Sequence, residues 1–188
     1  MDVATAVGSV LAAFGLSGAA GLNAWLPLLA GAVAFRAGIV DLGAPFDDLS
    51  TTTGLIVLAV LTAADFVGDK IPVVDSVLHS VGAVVHPAAG AVLFTGQTGL
   101  ETDIPQVVSI VAGALVAGSV HGARAAVRPA ATVGTAGIGN PALSLAEDAG
   151  SVVLTVLAFA LPVLAAALVI ALLAALIAAS RRLRTARR

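Results

Sequence analysis

The chain has 188 residues, of which 59% are hydrophobic and 11% charged, with a formal net charge of −2 and a mean hydropathy of +1.08. Two runs, Val3 to Phe35 and Ala149 to Ser180, carry no charge at all. A helix crosses the hydrocarbon of a bilayer with roughly 20 apolar residues, so such segments consume the whole chain and leave no room for a soluble catalytic domain. The absence of cysteine removes disulfides, thiolate catalysis and thiolate metal sites together.

In chain order the hydropathy predicts an all-α polytopic bundle, a single integral membrane domain over 1–188. It has about five spans, at approximately 5–35, 53–68, 80–97, 106–127 and 150–179, and an irregular or re-entrant element at 129–148. The start, Met1-Asp2-Val3, has no basic region, and the apolar run behind it is too long for a signal peptide, so the first segment is expected to stay in the mature protein. That first span is interrupted by Gly21-Leu22-Asn23-Ala24-Trp25-Leu26-Pro27; Gly68 and Pro72 break the region after the second, and Gly134 through Pro141 precede the last. Proline removes a backbone donor and clashes with the preceding turn, and irregular backbone at membrane depth survives only when buried in protein or lining water. Broken helices beside charges therefore point to a polar cavity, with simple kinks or interfacial breaks as the alternative. The loops Asp41 to Asp48 and Glu101/Asp103 read as wet connections.

Five of the nine basic residues lie in the tail Arg181-Arg182-Leu183-Arg184-Thr185-Ala186-Arg187-Arg188. Lys and Arg collect on the cytoplasmic side, beside anionic headgroups, which places the C-terminus inside. Five single crossings then put the N-terminus, Arg124 and Arg128 outside, whereas a sixth, irregular crossing through 129–148 would bring the N-terminus inside and leave the same pair outside. The Gly118-Ser119-Val120-His121-Gly122 spacing is that of close helix packing, within the chain or between copies. Expected partners are the lipid bilayer and, through such small-residue faces, a second copy of the chain; nucleic acid is not expected, and no cofactor is.

Charges kept in so apolar a sequence need a reason, since one at the bilayer centre costs at least about 2.5–3.5 kcal/mol. Asp65, Asp69, Lys70, Asp75 and His79 fall close together. Residues four apart share a helix face, so Asp65 can point with Asp69 and Asp75 with His79. Crowded carboxylates cannot both ionise cheaply unless Lys70 or a cation compensates, as a cation-binding or proton-coupled site requires. The alternative is an interfacial Asp69–Lys70 ion pair with Asp75 capping the following helix. Glu147-Asp148 forms a second acidic cluster. Asp148 reads as a charge at a helix N-terminus, whereas Glu147 with Asn140 could complete the first cluster if 130–148 folds into the membrane. His86-Pro87 reads as a helix end and His121 as a packing or interhelical hydrogen-bonding residue.

Three stretches together resemble a known family: Ser17-Gly18-Ala19-Ala20-Gly21-Leu22-Asn23-Ala24-Trp25-Leu26-Pro27-Leu28-Leu29, Ile71-Pro72-Val73-Val74-Asp75-Ser76, and Thr135-Ala136-Gly137-Ile138-Gly139-Asn140-Pro141 followed by Glu147. They are similar to a bacterial membrane family known only as a domain of unknown function. The resemblance implies a multi-pass protein of the bacterial inner (plasma) membrane and supplies no activity or catalytic residue. Its early motif often carries a basic residue where this chain has Asn23.

The leading expectation is a transporter or channel for a small solute, a cation or a proton-coupled substrate. Asp65, Asp69 and Asp75 would carry the charge, His79 would relay protons, Lys70 would be a counter-ion, and Asn140 and Glu147 would complete the site. The alternatives are a non-catalytic membrane scaffold or assembly partner, and an intramembrane metal hydrolase using Asp75 and His79 with Asp69 or Glu147. An enzyme is not the expectation, because no nucleophile stands with a recognisable base.

Overall fold

The computed structural model describes the backbone of residues 2–68, 72–135 and 139–185, and within these every side chain except those of 72–77, 79, 130, 131 and 183–185. Among the described residues the chain forms helices and no strand: α1 (Val3–Leu22), α2 (Trp25–Arg36), α3 (Phe46–Leu49), α4 (Thr52–Gly68), α5 (Pro72–Thr98), α6 (Gln106–Gly134), α7 (Asn140–Ala160) and α8 (Pro162–Thr185). Four of these, α1, α6, α7 and α8 as far as Arg182, are long and apolar enough to cross a membrane. The chain is an all-α bundle of multi-pass membrane type.

Two stretches that hydropathy reads as single spans are each broken in two. Residues 5–35 hold α1 and α2, separated at Asn23 and Ala24, and residues 150–179 hold the end of α7 and most of α8, separated at Leu161. Pro162 accounts for the second break: it has no N–H to continue the ladder and is well suited to open a new helix. Within 129–148, α6 continues through Pro129 to Gly134 and α7 begins at Asn140. Residues 129–134 and 140–148 thus belong to two long helices rather than to an element of their own.

The middle of the bundle is α1, which packs against α5, α6, α7 and α8. It can do so because its buried face is almost all Gly, Ala and Ser, which lets backbones approach closely. A Cβ on Gly15 would lie 2.9 Å from Ala158 Cβ and 2.8 Å from Ala165 Cβ, one on Gly18 2.3 Å from Val169 Cγ2, and one on Gly21 2.7 Å from the Ala117 carbonyl oxygen. Gly15 thus meets both the last turn of α7 and the first of α8, so the chain reverses at Leu161 and α8 runs back alongside α1. The tightest crossing is between α5 and α6, where a Cβ on Gly113 would lie 2.2 Å from the Gly90 carbonyl oxygen.

The first break also reverses the chain. Phe14 on α1 packs edge-on against Phe94 of α5, while Phe46, just beyond α2, lies over both Gly31 and Gly96, and Gly43 donates its N–H to the Gly96 carbonyl at 2.7 Å. The far end of α2 therefore returns to the level of the bundle that holds Phe14. At 12 residues α2 is about 18 Å long by the α-helical rise, too short to span. The turn at Asn23 accordingly lies inside the bundle, and several buried polar side chains gather there.

Candidate functional site

Four carbonyl groups at the end of a helix have no partner within it. At the end of α1 three of them are met by polar side chains from three other helices. The Ala19 carbonyl accepts the Asn23 N–H at 3.0 Å and the Ser151 hydroxyl of α7 at 3.0 Å. The Ala20 carbonyl accepts from His86 Nδ1 of α5 at 2.5 Å, and the Leu22 carbonyl from Arg124 Nη1 of α6. The carbonyl end of a helix carries partial negative charge, which favours a cation such as Arg124 there.

Asn23 serves the other side of the break. Its Oδ1 accepts the N–H of Trp25 and of Leu26, each at 3.0 Å, capping α2. Its Nδ2 donates to Asp148 Oδ1 at 2.8 Å and to Asp65 Oδ2 at 3.0 Å. A carboxamide has two donor hydrogens and two acceptor lone pairs, and here all four are used. One buried side chain ties α1, α2, α4 and α7 together.

Arg124 organises the remainder. Beyond the Leu22 carbonyl, Nη1 reaches Glu147 Oε2 at 3.1 Å, and Arg128 Nη2 meets the same oxygen at 2.7 Å. Nη2 of Arg124 lies 3.3 Å from His86 Nε2 and 3.3 Å from His121 Nδ1. The two imidazoles are stacked, with centroids 4.3 Å apart. Gly82 makes room for them, since a Cβ there would lie 2.9 Å from His121 Cε1 and 3.0 Å from His86 Cδ2.

Donor chemistry assigns roles to this pair. A guanidinium only donates and a carbonyl only accepts. The matching tautomer of His86 has its proton on Nδ1, toward Ala20, with Nε2 accepting from Arg124, and His121 faces Arg124 with Nδ1 as acceptor. A second proton on either ring would set an N–H against an N–H of Arg124.

Of the residues singled out from sequence, Asp65 and Glu147 enter this network. Asn140 lies two turns before Glu147 on α7 and accepts the Thr132 hydroxyl at 3.1 Å, so it braces the α6–α7 connection and does not reach Arg124 or Asn23 in the contacts described. Asp75 and His79 lie on α5, with side chains outside those described, and Asp69 and Lys70 lie outside the described residues. Asp148 is not at a helix N-terminus. It stands two turns inside α7, which begins at Asn140, and is buried against Asn23. Asn23, His86, His121, Arg124 and Arg128 are the functional candidates that sequence reasoning passed over. His121, Arg124 and Arg128 stand at i, i+3 and i+7, which is one face of a helix, and that spacing was the available signal. Among the described residues no group of three or more His, Asp or Glu is placed to hold a metal ion.

The model of one protein family, described as Domain of unknown function (DUF4126), matches residues 10–182. No curated protein and no solved structure matches the chain.

Proposed function

We propose that this chain, which belongs to the family whose model it matches, is a proton-coupled membrane carrier of a small solute whose proton site is the Arg124, His86, His121 and Glu147 network at the α1–α2 break. The observation that carries this reading is the placement of two stacked imidazoles, each with a ring nitrogen 3.3 Å from one nitrogen of a guanidinium that also holds a helix end. A proton arriving on His86 Nε2 or His121 Nδ1 must displace Arg124 Nη2. Because the same guanidinium holds Leu22 and Glu147, that displacement acts on the break and on α7 together. Discontinuous helices with ion sites at their ends, near the middle of the membrane, are a recurring transporter design. Here the carbonyl end of α1 faces Arg124, and the N–H end of α2 faces Asn23 with its two carboxylates.

Among the described residues, the charged groups of this network are Arg124 and Arg128 from α6, Glu147 and Asp148 from α7 and Asp65 from α4. Helix α8 brings no charge before Arg181. Burying five such side chains is costly unless each is paired, and intramembrane ionisable groups mark ion or proton pathways as a rule.

The test is proton entry into proteoliposomes, reported by a trapped pH dye under an imposed pH gradient with the membrane potential clamped. Wild type should acidify the lumen faster than protein-free vesicles. The double variant His86→Gln/His121→Gln should not, with its elution profile in detergent unchanged. Acidification equal in wild type and the double variant would refute the assignment.

A scaffold reading has its own support: Ser17 Oγ on the Gly90 carbonyl at 3.0 Å and Ser151 Oγ on the Ala19 carbonyl at 3.0 Å are interhelical glue with no charge to move. Under it, the double variant would lose stability and wild type would carry no protons.

A further inference from the structure

We infer that the solute is a small anion of the carboxylate class and that Glu147 occupies its seat between Arg124 and Arg128. This rests on the proton-coupled reading and adds the substrate class to it. A single oxygen, Glu147 Oε2, receives Arg128 Nη2 at 2.7 Å and Arg124 Nη1 at 3.1 Å. Two guanidiniums one turn apart on α6, aimed at one point, form charge-assisted hydrogen bonds to whichever carboxylate fills it. Arginine is the residue suited to that recognition. The carboxylate now in place comes from a different helix, α7, so it can leave without either arginine moving.

Arg128 is 15% exposed and Glu147 8%, so the pair lies at the edge of the packed interior. A proton on Glu147 removes that carboxylate's charge and weakens its hold on the guanidiniums. An incoming monovalent carboxylate then restores the charge at the same point. The site gains one proton on Glu147 and one anion between the arginines, so its net charge is unchanged when both are bound. A metal cation fits the described groups poorly: Glu147 is held by two cations, Asp65 and Asp148 both accept from Asn23, and no three carboxylate or imidazole side chains converge among the described residues.

The experiment is thermal unfolding of the detergent-purified full chain with sodium formate titrated at constant ionic strength. In Glu147→Gln the carboxylate oxygen shared by Arg124 and Arg128 is gone. Formate should raise Tm by several degrees, saturably, because a ligand that binds only the folded state stabilises it. No rise is expected for Glu147→Gln/Arg128→Gln, nor for wild type at neutral pH. Should Glu147→Gln fail to fold, Glu147→Ala takes its place, with the same formate-dependent rise expected there and lost in Glu147→Ala/Arg128→Gln. Absence of a saturable rise in whichever of the two is measured overturns the anion, as does an equal rise in the arginine-deficient variant. Stabilisation of Glu147→Gln by micelles doped with phosphatidylglycerol, with formate inert, would assign the seat to a lipid headgroup and also overturn it. Protein that carries protons in the dye assay yet ignores formate keeps the carrier reading and loses only the substrate class; protein that does neither loses both.

Discussion

Arg124→Gln is expected to cost the folded protein on the order of 3–5 kcal/mol, the range for removing one partner of a buried ion pair. Four contacts go at once: the Leu22 carbonyl at the end of α1, Glu147, His86 and His121. None of these groups can turn to water, since Glu147, His86 and His121 are buried and Leu22 is the last residue of α1 in the core. Arg124→Lys should recover little of the loss. One ammonium cannot serve Leu22 and Glu147 with one nitrogen and two imidazoles with another, as the forked guanidinium does. Arg36→Gln is the control, because Arg36 makes only exposed contacts to the Ser50 carbonyl and the Thr52 hydroxyl, each at 3.2 Å, and surface substitutions of this kind usually stay within about 0.5 kcal/mol. Thermal unfolding in detergent, read as the monodisperse fraction surviving each temperature, separates the three variants.

Asn23→Ala should also be strongly damaging. Loss of the cap on α2 costs about 1 kcal/mol, leaving the buried Asp148 without this donor adds roughly 1–3 kcal/mol, and the part-buried Asp65 adds less. The total, on the order of 3 kcal/mol or more, falls on the joint between α1, α2, α4 and α7, so loosening should be local to that joint. Hydrogen exchange of the Trp25 and Leu26 amides, both bonded to Asn23 Oδ1, should rise well before exchange in the middle of α6. Uniform exchange across both helices would show that Asn23 is not the tie described here.

Hydropathy was enough to read an all-α membrane bundle, because apolar runs of bilayer length leave few alternatives. The break at Gly21 to Pro27 was legible for the same reason, as an Asn and a Pro in a charge-free run. Pro162 is as strong a breaker, yet Val163 to Ala179 is so evenly apolar that composition hid it and the α7–α8 hairpin read as one span. The site was half legible. Asp65 and Glu147 stood out as charges in apolar surroundings. Arg124 and Arg128 stood out equally, but were read as marking the end of a span near residue 127, whereas α6 continues through Pro129 to Gly134. With α6 extended by two turns, Arg128 joins Arg124 inside the helix, and both face the bundle. Asn23 carries no charge, so nothing local reveals that it holds two carboxylates from helices 42 and 125 residues away in sequence.

The central claim is that a second proton on His86 or His121 and the Arg124 contact exclude each other, and that the α1–α2 break feels the exchange. Trp25 reports on it directly: it is the sole tryptophan, the chain has no tyrosine, and its N–H is held by Asn23 at the break. Trp25 fluorescence should change reversibly between about pH 8 and 5, the range in which histidine takes up a proton, and the change should vanish in His86→Gln/His121→Gln. An unchanged signal in wild type across that range, or the same change in the double variant, would contradict it.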